Sequence, residues 1–359
     1  MRHRVDVSPL RVRVPMMHEP DSAGVAQVPA GVIQAIETMR APVLVSHVIP
    51  DADALGSMLA LAMALDSLTC TPKVSLPPES VSRRLEFLVK WADAKIAGAE
   101  DFSHADGFVV LDTAKKSRCS VGSALNGTEW SDGRGVVNID HHVTNTYFGD
   151  VNWVVPSAGS TCELVYHLLR SAGRPINGVS ASLLFAGIQT DTLGFSLPTT
   201  TSSVLRAASD LAALGADIAA LGDRLFRGRS WAEFNLLGII HANTRVLAGG
   251  QLAFSSADYD EIHAAGCTAA DIDDQISVPR SLAGVRLAML FTEGRKGKTR
   301  INFRSAGGVT VVDLAAEFDG GGHSQAAGAI LDCPPADAIE RVVPRALECL
   351  KQFPQTHTV

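Results

Sequence analysis

Along the first half of the chain, short β-branched runs alternate with longer Ala/Leu-rich ones. The short runs are "APVLVSH" (41–47), "PKVSL" (72–76), "GFVVLD" (107–112) and "GVVNID" (135–140), and the long ones "ALGSMLALAMALDSL" (54–68) and "VSRRLEFLVKW" (81–91). The short runs lack the alternate polar positions of a strand with one wet face, so they read as strands buried on both sides. Such strands interleaved with helices predict an α/β fold, a mostly parallel sheet with helices on both faces. Further helices are expected at 160–171, where Ser160 and Glu163 fit the S-x-x-E capping pattern, and at 179–192.

The order then changes. Residues 202–247 are rich in Ala, Leu and Arg without a strand pattern, and they read as helices joining two domains. After them "GQLAFSS", "VRLAMLFTE", "KTRINFRS" and "AAGAILD" read as strands, with helices near 256–265, 310–318 and 335–351, which predicts a smaller C-terminal α/β domain. Residues 1–26 show no periodicity and read as a flexible tail. The expected divisions are therefore a larger N-terminal domain at 27–205, a helical connector at 206–230 and a smaller C-terminal domain at 231–359.

Composition narrows the class. With 359 residues, 46% of them hydrophobic, the chain can bury the cores of two domains. Its six cysteines are scattered without a C-x-x-C pair, which argues against a zinc ribbon or a disulfide framework and for a reducing cytoplasm. No run is long and apolar enough to span a membrane. A net charge of −7 gives no general attraction for polyanions, so binding to long nucleic acid is not expected, whereas a small phosphorylated substrate held by local charges is compatible.

Chemistry collects at the strand ends. "VLVSH" finishes at His47, "FVVLD" at Asp112, and "VVNID" at Asp140 followed by His141 and His142. In open α/β sheets the ligand crevice lies outside the carboxyl ends of the strands, so these residues should converge. The loop after His47 adds Asp51 and Asp53, and "AGIQTDTLGF" places Asp191 in an apolar helical stretch. Taken singly, Asp53 or Asp140 reads as a helix N-cap and a histidine as a core residue. Five carboxylates brought together would repel unless cations sat among them, and carboxylate with imidazole but no thiolate suits Mn²⁺ or Mg²⁺. Two ions ~3.5–4 Å apart form the usual clamp for in-line attack on phosphorus.

In that order, "HVIPDADALGS", "VVLDTA", "NIDHH" and "GIQTDT" resemble the four motifs of the DHH phosphoesterase superfamily, and "FDGGGHSQAAGAI" resembles the glycine-rich motif of its DHH-associated domain. The resemblance spans roughly residues 30 to 350, and the compact length is similar to the branch of oligoribonucleases (nano-RNases) and 3′-phosphoadenosine 5′-phosphate phosphatases. It implies that His47, Asp51 and Asp112 hold one Mn²⁺ and that Asp53, Asp112, His141 and Asp191 hold the other, with Asp112 as the bridge. His142 is then expected at the scissile phosphate or as a proton donor, and Asp140 as the group that orients an imidazole.

The second domain supplies candidates for the other end of the substrate. Gly320, Gly321 and Gly322 would let backbone N–H groups approach an anion, with a helix expected to start after them, and His323 could donate to a phosphate. Strand alternation along "KTRINFRS" points Lys298, Arg300, Asn302 and Arg304 to one side. By resemblance, Arg304 and Ser305 belong to the substrate pocket, with Arg304 gripping a terminal phosphate. A metal site on one domain and an anion clamp on the other would act as a ruler for short substrates.

The expected activity is hydrolysis of short oligoribonucleotides to mononucleotides and of 3′-phosphoadenosine 5′-phosphate to AMP. Cyclic or linear di-adenylates are the alternative substrates. A RecJ-type exonuclease would be expected to carry further domains for a long strand, a manganese pyrophosphatase resembles the chain poorly at its C-terminus, and a nucleotide sensor would be expected to lack a metal ligand. A homodimer is compatible with the fold.

Overall fold

A computed structural model of the protein describes residues 27–353, apart from 68, 78–79, 122–130, 132, 273–274, 307 and 323. The expected tail at 1–26 and His323 therefore lie outside the described residues.

The four buried runs read from the sequence, with one further strand, form a five-stranded sheet: β1 (Val43–Val45), β2 (Lys73–Val74), β3 (Phe108–Leu111), β4 (Val136–Asp140) and β5 (Val151–Val154). All of its pairings are parallel, in the order β2-β1-β3-β4-β5. Alternate residues leave by opposite faces. Leu44, Val109, Leu111, Val137 and Ile139 enter the main core, while Val43, Val45, Phe108, Val110 and Val136 enter a smaller one. The main face is covered by α1 (Ala30–Thr38), α2 (Ala52–Leu65), α3 (Glu86–Ala92), α5 (Thr161–Ser171), α6 (Gly178–Asp191) and α7 (Ser202–Ala213). On the other face α4 (Ala99–His104) contributes Phe102, alongside Cys119 and Val121.

The apolar α2 is buried along nearly its whole length and packs closely on α6. Two glycines permit the approach: a Cβ on Gly56 of α2 would lie 2.4 Å from the Leu183 carbonyl oxygen, and one on Gly187 of α6 would lie 2.3 Å from Cys162 Sγ. Strand β5 and helices α1 and α4 go beyond the sequence reading. The "VNWV" run of β5 has a polar residue at its second position and three half-buried positions, a weaker pattern than that of its neighbours.

After α7, α8 (Ile218–Gly222) runs into a π-helical turn at Asp223–Arg227, whose Arg224 lies over the rings of Phe87 and Trp91. Leu225 still belongs to the first core, whereas Leu236 of α9 (Trp231–Ala242) belongs to that of the second sheet. The expected helices at 202–247 end early, because Arg245–Leu247 forms β6, an edge strand.

The second sheet adds β7 (Leu252–Ala257), β8 (Leu287–Arg295), β9 (Lys298–Ser305), β10 (Gly321–Gly322) and β11 (Ala326–Leu331), in the order β10-β11-β9-β8-β7-β6. Only β7 and β8 pair in parallel. One face packs on α12 (Val312–Ala316) and α13 (Pro335–Gln352), and the other on α9, α10 (Tyr259–Ala264) and α11 (Ser277–Arg280). All six cysteines are free thiols, and among the described residues no helix is long and apolar enough to cross a membrane.

Candidate metal centre and active site

The order of the first sheet reverses direction between β1 and β3, and a crevice opens at such a switch point beyond the strand ends. His47 follows β1 and Asp112 follows β3, one on each side of that switch. Asp112 takes a left-handed backbone, φ +52, and its N–H donates to the Ile139 carbonyl at 3.0 Å. Such a conformation costs a non-glycine residue about 1–2 kcal/mol and persists where surrounding contacts hold it.

Three groups of potential ligands gather here: His47, Asp51 and Asp112; Asp53, His141 and Asp191; and Asp112, His141 and His142. Within each group the ligand atoms lie within 4.8 Å of one another. Asp112 joins them, since its carboxylate is 3.6 Å from His47 Nε2 and 3.6 Å from His141 Nε2. His141 Nε2 is also 3.3 Å from Asp191 and 3.9 Å from Asp53.

Each carboxylate is held differently. Asp51, rather than Asp53 or Asp140, is the N-cap: its Oδ1 accepts the N–H groups of Asp53 and Ala54, both at 3.0 Å. Asp53 lies fully buried against the N-terminus of α5, where its two oxygens accept the N–H of Thr161 at 2.7 Å and of Cys162 at 2.8 Å. A carboxylate at a helix N-terminus is favoured by both the free N–H groups and the dipole. Thr161 also donates its hydroxyl to Asp112 at 3.0 Å. The expected cap on that helix forms, with Ser160 Oγ accepting the Glu163 N–H at 3.0 Å, but the Glu163 carboxylate turns to the Gly159 N–H at 2.7 Å and to the Ser203 hydroxyl.

Asp140 is completely buried and, among the described residues, the hydrogen-bond partners of its carboxylate all lie on the loop that follows β4. One oxygen accepts His142 Nδ1 at 2.7 Å and the His141 N–H at 2.9 Å, and the other accepts Asn145 Nδ2 at 2.6 Å. It thus fixes the ring of His142 and leaves Nε2 as that ring's remaining nitrogen. Sequence reasoning missed Asn145 and Thr161. An Asn three residues after a histidine pair, and a Thr one residue after an N-cap, carry no local pattern that separates them from ordinary turn and helix-start residues.

The electrostatics favour cations. Burial, reinforced by the charges of Asp112 and Asp191, pushes the Asp53 carboxyl well above its usual range. Burial together with Asp51 and Asp112 does the same to Asp191. Burial opposes ionisation of Asp112 as well, but His47, His142 and His141 around it outweigh that and hold it low. Burial also works against a charge on His142, yet its bond to Asp140 and the neighbouring carboxylates raise it to about 10. The buried Nδ1 of His47 has no hydrogen-bond partner among the described residues. Crowded carboxylates, an orphaned imidazole nitrogen and a donor set of oxygen and nitrogen without thiolate fit divalent cations.

Arg304 of β9 is the residue of the second sheet whose charge reaches this site. Its positive charge is felt at Asp191, where it favours the carboxylate. Of the four positions that the alternation places on one side, Lys298, Arg300 and Arg304 are the more exposed ones of β9, while Asn302 between them is buried. Ser305 is on the opposite side, buried, with its hydroxyl donating to the Val309 carbonyl at 2.6 Å. No helix follows the glycines: Gly321 and Gly322 pair with Gly328 and Ala327 of β11, so the expected helix dipole is replaced by a strand pair. Ala326–Leu331 already pair with β9 as β11, in the place of the expected helix. A Cβ on Gly320 or Gly322 would strike β11 backbone at 2.2 and 2.5 Å, while the space in front of Gly321 is open.

Residues 43–188 match the N-terminal domain of the DHH family, and residues 255–353 match the DHHA1 domain. The chain is 34% identical over 316 residues to a Thermus thermophilus protein named bifunctional oligoribonuclease and PAP phosphatase NrnA, covering 87% of this chain and 91% of that one. A Bacillus subtilis protein of the same name is 27% identical over 307 residues, covering 83% and 91% of the two chains. The solved structure of an exopolyphosphatase-related protein from Bacteroides fragilis superposes with a TM-score of 0.79 at 26% identity, over 91% of this chain and 99% of that one. The chain therefore belongs to the DHH family, as a phosphoric ester hydrolase in which a DHH domain is followed by a DHHA1 domain.

Proposed function

We propose that the protein hydrolyses short oligoribonucleotides to mononucleotides and 3′-phosphoadenosine 5′-phosphate to AMP, using two Mn²⁺ or Mg²⁺ ions. The observation that carries this reading is the double membership of Asp112, which groups with His47 and Asp51 and also lies against His141, itself grouped with Asp53 and Asp191. His47, Asp51 and Asp112 would hold one ion, and Asp53, Asp112, His141 and Asp191 the other. When bound, the ions supply charge stabilisation for the phosphoryl group and acidify an attacking water. The relatives named for oligoribonuclease and PAP phosphatase activity support the substrate class.

The protein's own groups do the positioning. Asp140 holds Nδ1 of His142, so that Nε2 is the nitrogen offered to the scissile phosphate or the departing oxygen. Arg304 would grip a terminal phosphate with its planar fork, with the backbone of Gly320, Gly321 and Gly322 and His323 as the further groups of the clamp, whereas Ser305, whose hydroxyl is bonded to Val309 on the other side of the strand, would not reach it. A phosphate held at each end fixes the length of what fits between. Short substrates are favoured for that reason.

The test is product analysis by ion-exchange chromatography with Mn²⁺, offering di-adenylate, a 5-mer, a 24-mer RNA and 3′-phosphoadenosine 5′-phosphate to wild type and to Asp112→Ala. Turnover of the short substrates, abolished by the substitution, is expected. A preference for the 24-mer would refute the length selection, and undiminished turnover by Asp112→Ala would refute the metal assignment.

A further inference from the structure

The loops that carry the metal-centre residues also carry exposed apolar side chains. Val48 and Ile49 follow His47, Val143 follows His142, Leu193 lies just beyond Asp191, and Tyr147 lies on the loop that leaves His142. Two of these sit on backbone that opposes them: φ is +53 at Tyr147 and +48 at Leu193. A bulky residue with positive φ is uncommon, and such strain persists where the surroundings impose it.

For Tyr147 the imposing contacts are visible. Asn145 Oδ1 accepts the Tyr147 N–H at 2.6 Å, while Asn145 Nδ2 donates to Asp140 at 2.6 Å, the same carboxylate that orients His142. The preceding residue is pinned to the loop after Asp112, its N–H donating to the Ala114 carbonyl at 2.9 Å. The hydrogen bonds that set His142 therefore also set Tyr147. Yet its side chain is 60% exposed and belongs to neither core of the first sheet, with no hydrogen-bond partner for its hydroxyl and no aromatic neighbour among the described residues. Its neighbour Phe148, by contrast, packs against the smaller core of the sheet.

We propose that Tyr147 is a nucleobase-stacking residue that positions the substrate's base at the rim of the metal centre, with the apolar side chains of the adjoining loops as its surround. The inference rests on the proposed nucleotide specificity and deepens it, because the base is the one large apolar face such a substrate presents. Stacking is tolerant of base identity, since every base offers a π-face. Tyr147 thus strengthens binding of any short oligoribonucleotide rather than selecting a sequence.

The test compares wild type, Tyr147→Gly and Tyr147→Phe on di-adenylate and on a base-free ribose 3′,5′-bisphosphate, with the melting temperature of each variant measured alongside. Glycine suits the left-handed backbone, so Tyr147→Gly is expected to melt no lower than wild type. Its KM for di-adenylate should rise about 5- to 150-fold with kcat held within about twofold. Tyr147→Phe should keep the wild-type KM, and the three proteins should share one KM on the base-free substrate. An unchanged KM for di-adenylate, an equal rise on both substrates, or a loss that phenylalanine fails to restore would each overturn the stacking role. Wild type that turns over the base-free bisphosphate but not di-adenylate would overturn the oligoribonucleotide reading and the stacking role together.

Discussion

Gly187→Ala is a single-methyl change placed against the carboxylate of Asp53, a proposed metal ligand. The added Cβ would lie 2.3 Å from Cys162 Sγ, 2.8 Å from Asp53 Oδ1 and 2.9 Å from Asp53 Cα. Alanine should gain about 1 kcal/mol of helix propensity over glycine inside α6, whereas overpacking a filled core costs about 1–3 kcal/mol. The overlap wins, because one of the struck atoms is backbone and the carboxylate is tied to the N–H groups of Thr161 and Cys162. A net loss of up to about 2 kcal/mol lowers the melting temperature by up to roughly 8 °C for a domain of this size. Activity should fall further than stability, since a displacement of about 1 Å at a reacting centre can cost 10²-fold in rate. Gly56→Ala is the control: the nearest atoms it strikes are those of the Leu183 carbonyl and Cys162 Sγ, rather than the Asp53 carboxylate. Differential scanning calorimetry with kcat per folded molecule separates the two effects. If Gly187→Ala lost no more specific activity than Gly56→Ala at equal destabilisation, the argument that Gly187 makes room for Asp53 would be wrong.

Two further outcomes follow from the same site. Asp51→Asn keeps an oxygen that can cap α2 while removing the charge, so its melting temperature should stay near wild type as metal-dependent turnover collapses; Asp51→Ala should lose about 0.5–2 kcal/mol of stability as well. If Asp51→Asn kept full activity, Asp51 would be a cap and nothing more. With chelator present, raised carboxyls at Asp53 and Asp191 and a His142 raised to about 10 mean that the folded chain holds more protons than the unfolded one from the ordinary carboxylate range up to about pH 10. Over that window stability should fall as pH rises, and added Mn²⁺ should raise the melting temperature more at pH 8 than at pH 5.5. A metal-induced shift that is equal at both pH values would refute this.

The sequence by itself determined the layer architecture and the identity of the chemistry. Strands buried on both faces are apolar throughout, so Val43–Val45, Phe108–Leu111 and Val136–Asp140 were legible as a parallel sheet, and residues at parallel strand ends must share one edge. That places His47, Asp112 and Asp140 together before any coordinate is known. Tertiary structure decided what each polar group does there. Asp51 rather than Asp53 caps α2, because the cap depends on backbone angles at one turn and not on residue type. Asp53 is held by the N-terminus of α5, more than a hundred residues away, and Asp140 is satisfied by Asn145 through a turn that local periodicity does not encode. The glycines at 320–322 show the same limit, since a pattern that suits an anion-binding loop before a helix also suits a tight strand pair, and the return of β11 along β9 chose between them. Local sequence fixes backbone preference and burial over a few residues, but the partner of a buried hydrogen bond is chosen by which distant segments the packed core brings within 3 Å.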